Sequence, residues 1–303
     1  MLKISIAMAV YNGSKFIKKQ LNSLLDQTRS ADEVIIVDDV STDNTFEIVK
    51  EFIKNNDLIN WKLFKNEFNS GYKKNFHKAV SLTTGDIIFT CDQDDIWCDR
   101  KLETLEKIFE SDSDVLAVST AFSLIDDNDR QIDDKNSSDY GLINIPLNSL
   151  LQKIKLETVI RSNISPGCTS AFRKRVAEIF VSSSANKIQH DYEINLIAAA
   201  LNGLYFYNTP LINYRIHENN TLGLDGKIQT RLEIAKEKCD AAEIVKNTGS
   251  DDSVYLMYCE RLRALESRNV FKILALFHSS VYRRYLSLHE RLGDFSYILG
   301  REK

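Results

Sequence analysis

Three carboxylates crowd into the four positions Asp92-Gln93-Asp94-Asp95, and no other segment of this chain is better suited to chemistry. They follow an apolar run, residues 86–91, that predicts a buried strand ending in a turn. Carboxylates at alternate positions of an extended chain point to one side, so Asp92 and Asp94 could face a single ligand. Their hard oxygen atoms suit Mg²⁺ or Mn²⁺, which often completes its shell with water and substrate phosphates. The segment predicts a metal-diphosphate site at the carboxyl end of a strand.

The same acids also have a simpler interpretation. A helix is predicted from about Cys98 to Glu110, and acidic side chains favour a helix N-terminus. Asp94 or Asp95 would then begin that helix. The two roles are compatible, because one aspartate could serve both.

The composition bounds what kind of protein this is. The 303 residues, 43% hydrophobic and 27% charged, suffice for one large α/β domain and an accessory part. The net charge of −4 does not indicate a nucleic-acid-binding protein. No apolar run approaches the ~20 residues of a membrane span. The N-terminus enters a strand pattern without a leader segment. Five cysteines without metal-ligand spacing predict reduced thiols and a cytoplasmic location.

Strands and helices alternate over the first 100 residues. Apolar runs predict strands, and helical spacing of apolar residues predicts helices between them. Such alternation indicates a mainly parallel sheet with helices on both faces, and ligands of such sheets bind beyond the carboxyl ends of the strands. The predicted strands are 3–10, 33–38, 61–64 and 86–91, and the predicted helices are 14–27, 42–54 and 72–82. Polar residues follow three of these strands: Tyr11-Asn12, Asp38-Asp39 and Asp92 to Asp95.

The pattern changes in the middle of the chain. We expect the stretch 126–141, with its six aspartates, to be a solvated surface loop. The other elements predicted here are a strand at 115–125, a helix from Leu147 to Ile160, a tight turn into a short strand at 166–172, a helix from Tyr192 to Leu201, and short strands at 204–207 and 211–216.

The C-terminal part is predicted to be helical, in segments near 227–246, 252–267 and 269–289. We place a domain boundary between residues 222 and 223. The last segment mixes apolar and basic side chains. It would pack on the main domain or on a sister subunit, or it would contact an anionic membrane surface. Periodicity favours packing.

Several ordered motifs resemble those of family-2 glycosyltransferases of the GT-A type. They are Ala9-Val10-Tyr11-Asn12, residues 37–45, residues 91–97, and Asn69-Ser70-Gly71 with Asn75. The resemblance spans roughly residues 3–217. It implies a GT-A domain over 1–222, with a Rossmann-like, mostly parallel sheet, and a helical region over 223–303. The form Asp-Gln-Asp-Asp-Ile-Trp is especially similar to bacterial rhamnosyltransferases of surface polysaccharide synthesis.

The resemblance implies roles for the residues that match the nucleotide side of such a site. Tyr11 and Asn12 would border the nucleotide, partly through main-chain groups. Asp39 would accept a hydrogen bond from the pyrimidine ring, since only a fixed acceptor selects an N–H edge. Asp92 would lie near the ribose. Lys74 would reach a phosphate, and a solvated surface lysine is its alternative.

The resemblance also implies a Mn²⁺ or Mg²⁺ cofactor, with Asp94 as its ligand and Asp95 in support. His217 matches a position that completes the metal shell or touches the diphosphate. Imidazole suits Mn²⁺ better than Mg²⁺, while a lone histidine is often only a structural hydrogen-bonding residue, and both interpretations stay open. Arg215 would pair with phosphate or with a nearby acid.

The pair His190-Asp191 occupies the place where this family carries an acidic pair with its catalytic base. The resemblance makes Asp191 the base and leaves the role of His190 open. Because Asp191 precedes a predicted helix, it could also cap the free N–H groups of that helix.

The implied reaction is inverting transfer of one sugar. Asp191 would take the proton of an acceptor hydroxyl that attacks the anomeric carbon, while a nucleoside diphosphate leaves from the opposite face. The implied donor is dTDP-rhamnose, and a UDP-hexose (Glc, Gal or GlcNAc) is the alternative. The Gln-x-x-Arg-Trp signature of processive synthases is not found, which favours non-processive addition. The acceptor would be a saccharide, lipid-linked at the inner face of the cell membrane.

Three other functions fit parts of the pattern. A nucleotidyltransferase pairs acids on a metal, but the chain shows no Gly-rich basic loop for a triphosphate. A glycoside hydrolase needs two carboxylates and no nucleotide. Polar residues after three strands of one sheet do not indicate this class. A non-catalytic partner subunit would keep nucleotide binding without turnover.

Overall fold

The computed structural model describes residues 1–132, 149–183, 187–217, 229–250 and 252–300. The strands of the described residues are β1 (Ile4–Val10), β2 (Glu33–Asp38), β3 (Trp61–Lys65), β4 (Ile87–Cys91), β5 (Ile96–Trp97), β6 (Ala117–Ile125), β7 (Gln131–Ile132), β8 (Leu151–Lys153), β9 (Ala171–Arg173) and β10 (Leu204–Arg215). The helices of the first 217 residues are α1 (Ile17–Leu25), α2 (Thr45–Asn55), α3 (Tyr72–Ser81), α4 (Lys101–Ser111), α5 (Leu156–Val159), a 3₁₀ turn (Gly167–Thr169), α6 (Lys174–Ser182) and α7 (His190–Ala200). Those that follow are α8 (Arg231–Asn247), α9 (Ser253–Glu266), α10 (Val270–His278), α11 (Ser280–Tyr285) and α12 (Leu288–Ile298).

One central sheet runs in the order β3-β2-β1-β4-β9-β6-β10-β5, with β7 beside β6 and β8 beside β10. The long pairings, β1 with β2 and β4, β2 with β3, and β6 with β10, are parallel. The short strands β5, β7, β8 and β9 pair antiparallel. The predicted α/β class with a mostly parallel sheet is therefore confirmed.

The strands alternate their side chains between two hydrophobic layers. Ile4, Ile6, Met8 and Val10 of β1 point into the layer covered by α1, α2 and α4. Ala7 points into the opposite layer, with α3, α6 and α7. Because neighbouring strand residues face opposite sides, a continuous apolar run such as β1 requires helices on both faces.

The two-residue strand β5 positions the acidic segment. It pairs with β10, with Trp97 opposite Ile212 and Ile96 opposite Asn213. This pairing folds the segment 92–95 back toward the end of β10, where Arg215 is the last residue and His217 lies two residues further on. The pattern of apolar residues does not predict so short a strand, because two residues are too few to show an alternation of apolar and polar side chains.

Several predicted elements differ in the structure. The helix predicted from Leu147 to Ile160 is wrong for its described part: residues 151–153 form β8 and residues 156–159 form α5, because β8 pairs with β10. The strands predicted at 204–207 and 211–216 are one strand, β10, with irregular pairing around Pro210. The segment 269–289 is broken into α10 and α11 at Ser279, and the final helix α12 was not predicted.

The C-terminal helices continue one of the two hydrophobic layers. Residues of α8, α9 and α10 share a buried cluster with Tyr192 and its neighbours on α7. The predicted boundary between residues 222 and 223 lies outside the described residues. The five cysteines are free thiols. None of the described helices combines the length and apolar character needed to cross a membrane.

A buried ion pair links four of the C-terminal helices, α8, α9, α11 and α12. Arg261 of α9 donates to both oxygens of Asp294 on α12, at 2.7 and 2.8 Å. Tyr282 of α11 donates to Asp294 Oδ2 at 2.7 Å, and Arg231 of α8 lies 3.3 Å from Oδ1. Asp294 has no exposed surface. A buried charge left without its partner is strongly destabilising, so the four helices depend on this carboxylate.

We predict that Asp294→Ala lowers the free energy of unfolding by about 3–5 kcal/mol, because Arg261 would stay buried without an anion. Denaturant titration followed by circular dichroism measures the loss. The matched control is Glu260→Ala, an exposed acid on the same α9 helix, for which about 0.5 kcal/mol or less is expected. Equal effects of the two substitutions would contradict this account of the C-terminal packing.

Candidate active site

A cleft of about 960 Å³ opens at the carboxyl edge of β1, β2 and β4, a size typical of small-molecule sites. Its wall combines the residues after these strands with the start of α3 and the start of α7. The structure brings most of the predicted side chains into this one cleft. The lining includes Tyr11, Asn12, Asp39, Tyr72, Asp92, Asp94, His190, Asp191 and His217.

Gln93 fixes the turn after β1. Its Nε2 donates to the Tyr11 carbonyl at 2.8 Å, and the Tyr11 N–H donates to its Oε1 at 2.7 Å. Asn12 has a φ of 48°, a conformation that asparagine tolerates, and its N–H donates to Ser41 Oγ. The main-chain N–H groups expected to touch a nucleotide are therefore already bonded within the protein. Tyr11 itself lines the cleft and is 45% exposed.

Asp39 anchors the loop that precedes α3. Its carboxylate accepts hydrogen bonds from Ser70 N–H at 2.9 Å, Gly71 N–H at 2.8 Å and Asn66 Nδ2 at 2.6 Å. Burial raises the pKa of Asp39, but these hydrogen bonds outweigh burial and hold it below its usual value. A carboxylate has about four acceptor positions. A pyrimidine N–H would therefore have to share this carboxylate with the loop.

The acidic segment after β4 divides into two partly buried acids and one fully buried acid. Asp92 and Asp94 line the cleft, and Asp94 Oδ2 lies 2.9 Å from His217 Nε2. Asp95 is buried, and its carboxylate lies within 4.8 Å of ligand atoms of Asp92 and Cys168. At the end of β4, Asp94 thus contacts an imidazole, while Asp92 and Asp95 form a second group with the Cys168 thiol.

Mutual repulsion shapes the electrostatics of this segment. Burial, and then the charges of Asp94, Asp95 and Asp191, raise the pKa of Asp92 well above its usual value. Burial and the charge of Asp94 likewise raise the pKa of Asp95. Crowded carboxylates of this kind must either take up protons or share a cation.

Helix capping does not explain these acids. The helix α4 begins at Lys101, and its N-cap residue is Arg100. Asp94 and Asp95 are separated from it by the strand β5. The simpler interpretation of the acids as a helix start is therefore wrong.

Two buried cations support the acidic segment from behind. The Arg215 N–H donates to Asp95 Oδ1 at 3.0 Å, and its Nε donates to the Asp94 carbonyl at 2.6 Å. Its guanidinium also lies 2.7 Å from Asp129. Lys101 donates to the Cys168 carbonyl and lies over the Trp97 ring, and burial lowers its pKa to about 8. Of the two predicted partners of Arg215, the structure shows the acid.

Asp191 lies in the first turn of α7, where Gln189 rather than Asp191 is the N-cap residue. Its Oδ2 accepts from Asn163 Nδ2 at 2.8 Å, and its Oδ1 accepts from the Tyr192 N–H at 2.8 Å. Burial raises the pKa of Asp191 to about 6. A carboxylate with this pKa is ionised at neutral pH and is still basic enough to accept a proton.

His190, beside it, is 93% buried in the wall of the cleft (7% exposed). Its ring stacks on Phe76 with centroids 3.9 Å apart. Neither ring nitrogen has a hydrogen-bond partner among the residues that the structure describes. Gly167 makes this position possible, because a Cβ there would lie 2.6 Å from His190 Nε2. Burial, and then the charge of Lys73, lower the pKa of His190 to about 3, so its imidazole is neutral.

Lys74 is exposed on α3 and is absent from the described lining of the cleft, where Lys15 is found instead. Lys15 pairs with Asp127. Residues 128–132 are exposed, as expected for the start of a surface loop, but the first two acids of the stretch also contact the cleft. Asp126 and Asp127 line the cleft, and Asp126 Oδ1 accepts from the Asn128 and Arg130 N–H groups in a tight turn.

Sequence reasoning missed four supporting residues. Gln93 stands inside the acidic motif, so its position was the one available signal. The contacts of Asn163, Cys168 and Gly167 with the site depend on chain segments that meet only in the folded state. No pattern in the sequence indicates these contacts.

Comparison with known proteins assigns the family. Residues 5–180 match the family described as glycosyl transferase family 2. A dTDP-rhamnosyl transferase, RfbG of Shigella flexneri, is 28% identical over 263 residues, which cover 81% of this chain and 86% of that protein. An uncharacterised glycosyltransferase of Nostoc is 29% identical over 221 residues, 72% of this chain and 66% of that protein. The chain therefore belongs to glycosyltransferase family 2, whose members transfer a sugar from a nucleotide-sugar donor.

Solved structures confirm the fold. Staphylococcus aureus TarS (residues 1–349), crystallised with UDP-GlcNAc, superposes with a TM-score of 0.64 at 19% identity, over 98% of this chain and 81% of that one. A mannosyltransferase of Pyrobaculum calidifontis, in complex with GDP-Man and Mn²⁺, gives a TM-score of 0.53 at 16% identity, over 99% and 87%. The fold is the GT-A type.

Proposed function

We propose that this protein is an inverting, metal-dependent, non-processive rhamnosyltransferase that acts in bacterial surface polysaccharide synthesis. Its substrates would be dTDP-L-rhamnose and a saccharide acceptor. One observation carries the proposal: a single cleft holds the buried acid Asp191 together with the acid-imidazole pair Asp94 and His217. Asp191 can act on an acceptor hydroxyl, and the pair of Asp94 and His217 can act on a diphosphate.

The residues at the end of β4 fit a divalent cation. Asp94 Oδ2 and His217 Nε2, 2.9 Å apart, would hold it, with Asp95 behind them. Hard carboxylate oxygens with one imidazole suit Mn²⁺, and carboxylates suit Mg²⁺. Asp95 Oδ2 has no hydrogen-bond partner among the described residues. The chemistry that such a cation supplies when bound is neutralisation of charge on the leaving diphosphate.

The remaining donor contacts follow from the lining of the cleft. Tyr11 and Asn12 would border the nucleotide, and Asp92 would lie near the ribose. Asp39 would accept the pyrimidine N–H while still holding Ser70 and Gly71. Phosphate contact by Lys74 is not retained in the proposal, because its side chain lies outside the cleft lining.

Asp191 would remove the proton from the acceptor hydroxyl as that oxygen forms a bond to the anomeric carbon. The bond from that carbon to the diphosphate oxygen breaks on the opposite face, which inverts the configuration. Asn163 and the Tyr192 N–H hold the carboxylate in one orientation for this step. Such preorganisation costs nothing at the moment of reaction.

The identity of the sugar rests on the Asp-Gln-Asp-Asp-Ile-Trp motif and on the similarity to the Shigella dTDP-rhamnosyl transferase, at 28% identity. The second candidate is a UDP-hexose transferase, which the structural similarity to TarS, solved with UDP-GlcNAc, favours. A non-catalytic nucleotide-binding subunit is the third, and it would bind nucleotide without turnover.

A panel of sugar nucleotides tests the donor and the metal together. With Mn²⁺ or Mg²⁺ we expect slow hydrolysis of dTDP-rhamnose to exceed that of UDP-Glc, UDP-Gal and UDP-GlcNAc, as measured by release of the nucleoside diphosphate. EDTA should abolish it. Asp94→Ala should abolish it as well with unchanged circular dichroism, while the exposed Asp99→Ala serves as the control. Preference for a UDP-hexose would overturn the rhamnose assignment, and full activity in EDTA would overturn the metal.

Asp191→Asn is expected to lower kcat by about 10²–10⁴-fold, because general bases contribute that much. In the wild type, burial raises the pKa of Asp191 to about 6. Below that pH the base is protonated, so kcat/KM should fall about tenfold per pH unit, with a plateau above it. Asp92 and Tyr72 are titratable neighbours, and the charge of Asp191 raises the pKa of each. A flat profile from pH 5 to 8 would show that Asp191 is not the base.

We also propose that the C-terminal helices bring the enzyme to the cytoplasmic face of the cell membrane. Phe271, Leu274 and Leu292 are exposed apolar residues on α10 and α12. Lys272 of α10 and Arg283 of α11 are exposed basic residues. Exposed apolar and basic side chains together bind anionic lipid surfaces. A homo-oligomer through the same helices is the alternative.

Vesicle sedimentation checks the membrane contact. We expect binding to phosphatidylglycerol vesicles, weaker binding to neutral phosphatidylcholine vesicles, and loss of both on the double substitution Phe271→Ser with Leu274→Ser. If the wild type stays in the supernatant and sediments as a dimer that the substitutions dissociate, the helices form an oligomer interface instead.

A further inference from the structure

The charges that line the cleft are very unequal. Among the described lining residues Lys15 is the one lysine, and no arginine accompanies it. The same lining holds six carboxylates: Asp39, Asp92, Asp94, Asp126, Asp127 and Asp191. A nucleoside diphosphate adds further negative charge to this space, and like charges at short range repel one another. Besides a bound metal ion, the Lys15 ammonium is the cation that the described lining offers to a diphosphate.

Two hydrogen bonds fix the loop that carries Lys15. The Gly13 N–H donates to Thr45 Oγ1 at 2.7 Å, and the Ser14 N–H donates to Asp43 Oδ2 at 3.0 Å. The backbone before Lys15 is therefore held against the start of α2, while the Lys15 side chain is exposed.

The Phe16 ring shows where the ammonium group of Lys15 lies. Lys15 Nζ is 4.7 Å from the centroid of this ring, and the His217 ring packs against the same ring with centroids 5.2 Å apart. His217 Nε2 in turn lies 2.9 Å from Asp94 Oδ2. Lys15 is thus a neighbour of the pair that we propose holds the metal ion. Because a lysine side chain is long and flexible, it can reach a diphosphate bound beside that pair.

The contact that Lys15 makes in the free protein leaves it able to bind a ligand. Its ammonium pairs with Asp127. An ammonium group has three N–H donors, so two remain for phosphate oxygens. The two side chains are 63% and 41% exposed. Ion pairs as exposed as this one contribute little to stability, so the needs of the fold do not explain the placement of Lys15.

We propose that Lys15 is a substrate-binding residue that donates hydrogen bonds to the diphosphate of the nucleotide-sugar donor, while Asp127 holds its ammonium in position. Negative charge grows on the diphosphate as its bond to the anomeric carbon breaks, and a fixed cation stabilises that charge. Lys15 thereby takes the role that the sequence predicted for Lys74. This inference rests on the proposed function, since it assumes that the donor binds in this cleft.

Lys19 offers a matched control, because it forms the same kind of ion pair without lining the cleft. It pairs with Asp129, and the two side chains are 47% and 34% exposed. Lys19 is absent from the described lining. If Lys15 only linked its loop to the turn after β6, Lys15→Met and Lys19→Met would have equal effects. We expect both variants to keep the Tm of the wild type within about 2 °C, since exposed substitutions change stability little.

Calorimetric titration with dTDP and with UDP, in the presence of MnCl₂, measures the contact. For whichever nucleotide binds the wild type more tightly, Lys15→Met should raise the Kd about tenfold, equivalent to ~1.4 kcal/mol. Lys15→Arg keeps a positive charge and should recover part of this loss. Lys19→Met should stay within about twofold of the wild type.

Donor hydrolysis adds a kinetic readout that a purely structural role would not produce. Because charge grows on the leaving diphosphate, Lys15→Met should lower the kcat of hydrolysis about tenfold, while Lys19→Met should leave it unchanged. In transfer to an octyl glycoside, the KM for the acceptor should be unchanged by either substitution, since Lys15 serves the donor.

The outcomes distinguish this inference from the function on which it rests. A wild type that binds neither dTDP nor UDP and hydrolyses none of the sugar nucleotides overturns the proposed function. Nucleotide binding that Lys15→Met leaves unchanged overturns the role of Lys15 alone. Equal losses in Lys15→Met and Lys19→Met overturn it as well, because they would show that both lysines act through the turn after β6.

Discussion

The site depends on one buried guanidinium, that of Arg215. This side chain has no exposed surface, and it contacts the segment after β4 through the Asp94 carbonyl and the turn after β6 through the Asp126 carbonyl and Asp129. A guanidinium can do this because its donors point in several fixed directions of one plane. Two acidic segments that would otherwise repel one another are thereby held at a common edge. The main-chain N–H of Arg215 donates to Asp95 Oδ1.

This arrangement offsets part of the repulsion among the acids that follow β4. Arg215 and Lys101 supply positive charge on the buried side, and each is enclosed by apolar rings, of Phe16 and Trp97 respectively. The fold therefore balances part of the negative charge of the segment from within. The part that it does not balance faces the cleft, at Asp92 and Asp94. A ligand that carries a cation is what this electrostatic asymmetry favours.

How far the sequence predicts this protein depends on the range of the interactions. The four parallel strands and the helices between them were predicted, because an apolar period within one segment is a local signal. The cleft edge was predicted because parallel strands bring their carboxyl ends together. The support of Asp191 by Asn163 could not be predicted, since nothing local links two residues that meet only after folding. The contact of Asp94 with His217 depends on β5, a strand too short to leave a period.

Unfavourable local structure is concentrated where the chemistry is proposed. Val40 has a φ of 64°, although it is β-branched, and it follows directly on Asp39. Asp38 Oδ2 and Asp95 Oδ2 are buried without hydrogen-bond partners within the described residues, as are both nitrogens of His190. Each such feature costs stability, and surrounding structure must over-determine it. Asp38 ends β2, Val40 and Asp95 follow β2 and β4, and His190 begins α7. Stability alone does not explain why these unfavourable features lie around one cleft. The features that destabilise the chain therefore mark the surface that we propose binds its substrates.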